Sequence, residues 1–140
     1  MGEMIIIDTN ILVDMILEDR ERHQEAYKLY EKLKNEDVFV IIPYSGLFEL
    51  MTVLNRKEAL KKKLNFPGSF ELYFKPVPID DRFFDRYYDR NLPYTKTGDM
   101  LFLAIAKKKN LPLITEEQKL YNAAKKCGVK VFRIHQFVAS

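Results

Sequence analysis

Short β-branched apolar runs alternate with longer amphipathic stretches along this chain. Residues 4–7, Met-Ile-Ile-Ile, contain no polar position and predict a strand buried on both faces. Asp8, Thr9 and Asn10 then supply turn-forming side chains, and the apolar residues 11–17 predict a short helix. Residues 20–35 predict a second helix, with Ala26, Tyr27, Leu29, Tyr30 and Leu33 on its buried face. Residues 38–42 form the next buried run, stopped by Pro43. Ser45 is placed to cap a helix reaching residue 56, with Leu47, Phe48, Leu50, Met51 and Leu54 as its apolar stripe.

The second half continues the alternation. Residues 58–64 read as helical and 65–68 as a turn. Two prolines restrict residues 75–79 to an edge strand at best. Residues 80–90 predict a helix capped by Asp80, residues 91–96 a loop, and residues 98–109 a helix capped by Thr97. Residues 111–114 predict a strand. Thr115 is read as the cap of another helix, with Gln118 at the reciprocal position and Gly128 just beyond its end. Residues 129–134 predict the last strand. This alternation predicts an α/β fold with a mostly parallel central sheet and helices on both faces.

A chain of 140 residues with 47% hydrophobic residues can bury a sizeable core, and one domain spanning residues 1–140 is expected. The net charge of +3 is too small to imply a polyanionic partner. Its distribution is more informative. Lys61 to Lys63 and Lys107 to Lys109 form basic runs, and Arg82, Arg86 and Arg90 recur at one-turn spacing, as along one helix face. For each cluster alone solvated helix surface is the preferred reading, and the patches are compatible with a polyanion without being diagnostic. Cys127 is the only cysteine, so no internal disulfide and no cysteine-rich metal site can form. With no membrane-length apolar run, this composition predicts a soluble cytoplasmic protein without a membrane partner. His23 and His135 fall away from the acidic motifs.

Those motifs carry the candidate chemistry. In open α/β sheets ligands bind beyond the carboxyl ends of the strands. Asp8 directly follows the first strand, and Glu49 lies one turn into the helix after the second. Asp99 lies in the first turn of the helix after Thr97, and Glu117 follows the strand ending near Ile114. Each acid alone has a plain reading as a turn residue, a polar helix position or a complement to a helix dipole. Glu49 resists it most, because it interrupts the apolar run from Leu47 to Met51. Together, four carboxylates at one sheet end would repel and raise each other's pKa unless a cation intervened. An all-oxygen donor set without histidine or cysteine selects Mg²⁺ or Mn²⁺, ions suited to phosphodiester cleavage.

The ordered set of motifs resembles the PIN-domain nucleases, including VapC-type toxins. Residues Ile5 to Leu12 resemble that family's opening, Ser45 to Leu50 its second acidic motif, and Thr97-Gly98-Asp99 its third. Thr115 to Leu120, followed by Gly128 to Val131, resembles its closing unit. The resemblance implies a PIN-type three-layer α/β/α sandwich and a metal-dependent ribonuclease acting on single-stranded RNA. Asp8, Glu49 and Asp99 would be the main metal-site acids and Glu117 the fourth, with Glu where the family commonly has Asp. Asn10 and Thr115 would be supporting polar neighbours, and Glu116 a surface acid of little consequence. A homodimer and the toxin role in a toxin–antitoxin pair, with a cognate antitoxin as partner, are also implied. Residues 57–95 match no family motif. The rival readings are a PIN-like domain that binds RNA or protein without cutting, and a phosphoryl-transfer domain using Asp8 as acceptor. The second lacks the further Asp two residues on, where Asn10 stands.

Overall fold

The computed structural model describes residues 3–59 and 72–140. Five strands form one sheet: β1 (Met4–Ile7), β2 (Phe39–Pro43), β3 (Tyr73–Val77), β4 (Leu113–Ile114) and β5 (Val131–Phe132). Their order is β3-β2-β1-β4-β5, and every pairing is parallel. The described helices are α1 (Thr9–Ile16), α2 (His23–Asn35), α3 (Tyr44–Ala59), α4 (Asp81–Tyr87), α5 (Thr97–Lys109), α6 (Gln118–Lys126) and α7 (Ile134–Ala139).

Strand periodicity divides the core into two layers. Ile5, Ile7, Val40, Ile42 and Ile114 point to one face, where Leu12, Leu29, Leu33, Leu50 and Phe137 bring in α1, α2, α3 and α7. Ile6, Ile41, Leu113 and Val131 point to the other, against Phe83, Leu103, Ile105 and Leu120 of α4, α5 and α6. The protein is therefore a three-layer α/β/α sandwich. Ile5, Ile6 and Ile7 are fully buried, and each contributes about 1.5–3 kcal/mol of hydrophobic stabilisation. That burial fixes β1 at the centre of the sheet and Asp8 at its carboxyl end.

Local chemistry shifts several expected boundaries. The first helix starts at Thr9 rather than after a turn, because the Asp8 side chain caps it by accepting from the Asn10 N–H at 3.2 Å. The second starts at His23, three residues late, because Arg20 turns back to Asp14 at 3.0 Å. Pro43 does not stop β2 but ends it, paired with Val77. Ser45 lies inside α3, which begins at Tyr44, and Thr97 opens α5, with Lys96 in the cap position. Tyr27 and Phe48 are exposed, against the apolar faces assigned to them. The proline-containing strand is indeed at the sheet edge, two residues earlier than expected.

Asp80 caps α4 through the Phe83 N–H at 2.9 Å, as expected, but the helix ends at Tyr87. Arg90 thus leaves the helical face suggested for it with Arg82 and Arg86. Gly128 takes φ +80° beyond the end of α6, the left-handed conformation that favours glycine. The final strand is only two residues long, and residues 134–139 form the unanticipated α7. The helix and turn expected at residues 58–68, and the lysines at 61–63, lie outside the described residues beyond Ala59. Among the described residues no helix is long and apolar enough to cross a membrane.

Candidate active site

The sheet order creates a crevice between β1 and β4, where the chain's crossovers diverge in opposite directions. The Asp8 N–H donates to the Ile114 carbonyl at 3.0 Å, which sets the two strand exits side by side. Thr115, fully buried, donates its hydroxyl proton to Asp8 Oδ2 at 2.9 Å and accepts from the Glu117 N–H at 3.0 Å. Thr115 is therefore not the cap of α6. Its hydroxyl links the fourth acidic segment to the first acid, while Glu117 takes the cap position. Asn10 supports Asp8 through its backbone N–H, and its exposed residue lines the same cleft.

Asp99 is as buried as Asp8, each about 5% exposed. Burial is the main force raising the Asp8 pKa, opposed by the hydrogen bonds from Thr115 and Asn10; Glu117 raises it further and Lys96 lowers it. Asp99 is pushed up to about 6, first by burial and then by the charge of Asp8, with smaller contributions from Glu117 and Glu49 and an opposing one from Lys96. The four sequence-selected acids thus share one electrostatic field centred on Asp99. One oxygen of Asp99, Oδ2, is buried without a hydrogen-bond partner among the described residues. A buried carboxylate oxygen lacking a donor costs free energy unless a cation or donor group meets it.

The arrangement differs from expectation at Glu49. It is exposed, because Leu50 and Leu54 direct α3 into the core and leave Glu49 on the solvent side. Its interruption of an apolar run therefore carries no buried-charge penalty, and its influence reaches Asp99 through space. Among the described residues no three acidic, histidine or cysteine side chains are already gathered closely enough to hold an ion. The donor set nonetheless fits a hard divalent cation: the candidate donor atoms are carboxylate oxygens, and among the described residues Asp99 Oδ2 has no donor.

Two residues carry weight that the sequence did not reveal. Gly46 lets α3 pass close to β2 and α1; a Cβ there would stand 3.1 Å from Ile42 Cγ1 and 3.4 Å from Thr9 Oγ1. Glu116 is not a dispensable surface acid. Its Oε2 accepts the Ile134 N–H at 2.7 Å at the start of α7, and its Oε1 meets Arg22 at 3.2 Å. We expect Glu116→Ala to lower stability by about 1–2 kcal/mol, the scale of a lost helix cap. Glu117→Ala should instead leave the melting temperature nearly unchanged, while any activity that the clustered acids support falls about ten- to a hundredfold. Thermal melts and activity assays of the two variants side by side check this. Equal behaviour of the pair would contradict the assignment.

The PIN domain family model matches residues 5–126. The chain belongs to the PIN-domain family. Solved structures similar to this PIN domain include VapBC2 from Rickettsia felis bound to a promoter DNA fragment, at 19% identity and TM-score 0.63, covering 93% of this chain and 98% of that one. FitAcB from Neisseria gonorrhoeae is similar at 17% identity and TM-score 0.59, covering 94% and 98%. A PilT N-terminus domain protein from Sulfolobus solfataricus is similar at 16% identity and TM-score 0.56, covering 97% and 91%. These likenesses show a shared fold. No curated protein matches the chain.

Proposed function

We propose that this PIN domain is a metal-dependent endoribonuclease that hydrolyses phosphodiester bonds of single-stranded RNA and works as a single unit. The observation that carries the reading is the donor-free buried oxygen of Asp99 within the field of Asp8, Glu117 and Glu49. Asp8 and Asp99 would hold a Mg²⁺ or Mn²⁺ ion, with Glu49 and Glu117 completing its acidic surroundings. When bound, such an ion supplies Lewis acidity toward a phosphodiester.

The protein's own contribution is to pre-position charge. Thr115 and the Asn10 N–H hold the Asp8 carboxylate in one orientation. Burial in the first turn of α5 leaves Asp99 only about 5% exposed. Glu117 and Glu49, being less buried, remain free to turn toward a cation or an attacking water. The open spacing of the acids is the observation that favours the alternative, a PIN-like domain that binds RNA or protein without cutting it. Incubation of purified protein with single-stranded RNA and Mn²⁺ separates the two. Cleavage lost in Asp8→Asn supports the nuclease, whereas RNA retention without cleavage under every divalent ion supports the alternative.

The likeness to VapBC2 and FitAcB supports a toxin role with an antitoxin partner; a cytoplasmic homodimer is proposed with it. Expression without a partner should then slow growth of a bacterial host, and Glu49→Ala should relieve the slowing. Equal growth inhibition by wild type and variant would exclude RNA cleavage as its cause.

A further inference from the structure

A groove adjoins the acids on the α6 side, lined by Tyr94, Lys96, Asp99, Glu117, Lys119 and Lys126. Its lining joins the carboxylates of Asp99 and Glu117 to basic side chains. Lys119, Asn122 and Lys126 all line it, and their spacing of three and four residues puts them on one side of α6. Lys119 and Lys126 have no ion-pair partner among the described residues. The helix rises about 1.5 Å per residue, so Lys119 and Lys126 stand roughly 10 Å apart along α6, enough for more than one phosphodiester unit.

Tyr94 stands on this groove almost completely exposed, at 95%. A large aromatic side chain forgoes substantial hydrophobic stabilisation by remaining in water. Its backbone is nevertheless restrained. Pro93 precedes it with a fixed φ, and Thr95 follows it buried at 6% exposure. Asp99 then lies five residues on, in the first turn of α5. The ring is thus held out on a tethered loop beside the acids, with both faces available.

We propose that this groove binds the RNA strand next to the scissile phosphodiester, with Tyr94 stacking on a base and Lys96, Lys119 and Lys126 neutralising its phosphates. The proposal deepens the ribonuclease reading and rests on it for the location of the scissile bond. A flat exposed ring stacks on any base, whereas three lysines suit a polyanion. The groove therefore recognises a strand with splayed bases rather than a paired helix, and tolerates many sequences at the stacked position.

The test measures binding of a short fluorescent oligoribonucleotide by anisotropy, in an Asp8→Asn background that does not cleave. Tyr94→Ala should weaken binding about ten- to a hundredfold, and Tyr94→Phe should retain it, because stacking needs the ring and not the hydroxyl. Replacing one base of the oligonucleotide by an abasic unit should weaken binding to the Tyr94 protein but not to the Tyr94→Ala protein. Lys119→Ala and Lys126→Ala should each reduce the salt dependence by roughly 0.7 in log–log slope. Equal binding by Tyr94→Ala and Tyr94→Phe, or unchanged salt slopes, would overturn the proposal. So would Tyr94- and lysine-dependent binding of polyglutamate with none of RNA, which would assign the groove to an acidic protein segment. Cleavage by the protein with native Asp8 keeps the two readings apart. If Mn²⁺-dependent cleavage is abolished by Asp99→Asn but indifferent to Tyr94→Ala, the groove assignment alone falls. If Tyr94 and the lysines govern RNA binding and no cleavage occurs, the groove stands and the nuclease reading falls.

Discussion

Asp99→Asn should destroy RNA cleavage while making the metal-free protein more stable. These opposite signs have one origin. Asp99 is buried, receives no donor at Oδ2 from the described residues and faces the charges of Asp8, Glu117 and Glu49. Its folded-state pKa of about 6 lies above the ordinary 3.8, so the folded protein holds this proton more tightly than the unfolded chain does. The stability contributed by that proton is full below pH 3.8 and is lost as the pH rises through about 6. At neutral pH the ionised side chain is therefore a burden of at most about 2–3 kcal/mol, which asparagine removes. Cleavage, by contrast, should fall on the order of a thousandfold, the scale of losing a charge-stabilising group from a catalytic site. Denaturant melts between pH 4 and 8 in the presence of chelator, with parallel cleavage assays, check both signs. An Asp99→Asn protein that unfolds more readily than wild type at neutral pH would give the carboxylate a structural role instead.

Removal of divalent ions should abolish cleavage completely and reversibly. The acids are mutually repulsive without a cation, and nearby Lys96 only partly offsets their charge on Asp8 and Asp99. The same repulsion would make a bound ion a stabiliser of the fold. Mn²⁺ at about a hundred times its Kd should stabilise the wild-type protein by roughly 2.7 kcal/mol, through binding to the native state alone. Asp8→Asn and Asp99→Asn should show little of that gain. Chelator titration of cleavage, followed by restoration with Mg²⁺ or Mn²⁺, checks the first part, and melting with and without Mn²⁺ checks the second. Full activity in excess chelator would contradict the reading.

Much of this arrangement is legible from local sequence, because strands that are buried on both faces announce themselves and their exits are fixed by where the apolar run stops. Ile5 to Ile7 followed by Asp8, and Leu113-Ile114 followed by Thr115, place two site segments side by side once the sheet is known to be parallel. What local sequence does not carry is the partner of a side chain. Thr115 resembles a helix cap, yet its hydroxyl bridges to Asp8, 107 positions away. Glu116 resembles a dipole residue, yet it ties the start of α7 to Arg22. The α7 segment itself is six residues long, too short for its Ile134 and Phe137 spacing to stand out from the strand before it. Tyr94 sits in a stretch with no recognised motif, and its place beside Lys119 and Lys126 comes from the packing of α6 against α5.

Asp8 and Asp99 should jointly hold a divalent cation beside β1 and α5. Crystals grown with Mn²⁺ should show an anomalous peak at roughly 2.0–2.3 Å from oxygens of both Asp8 and Asp99, the range for a hard divalent ion on carboxylates, and Asp99→Asn crystals should lack it. A well-diffracting wild-type crystal with no manganese between these two residues, from a protein that cleaves RNA in the same buffer, would contradict it.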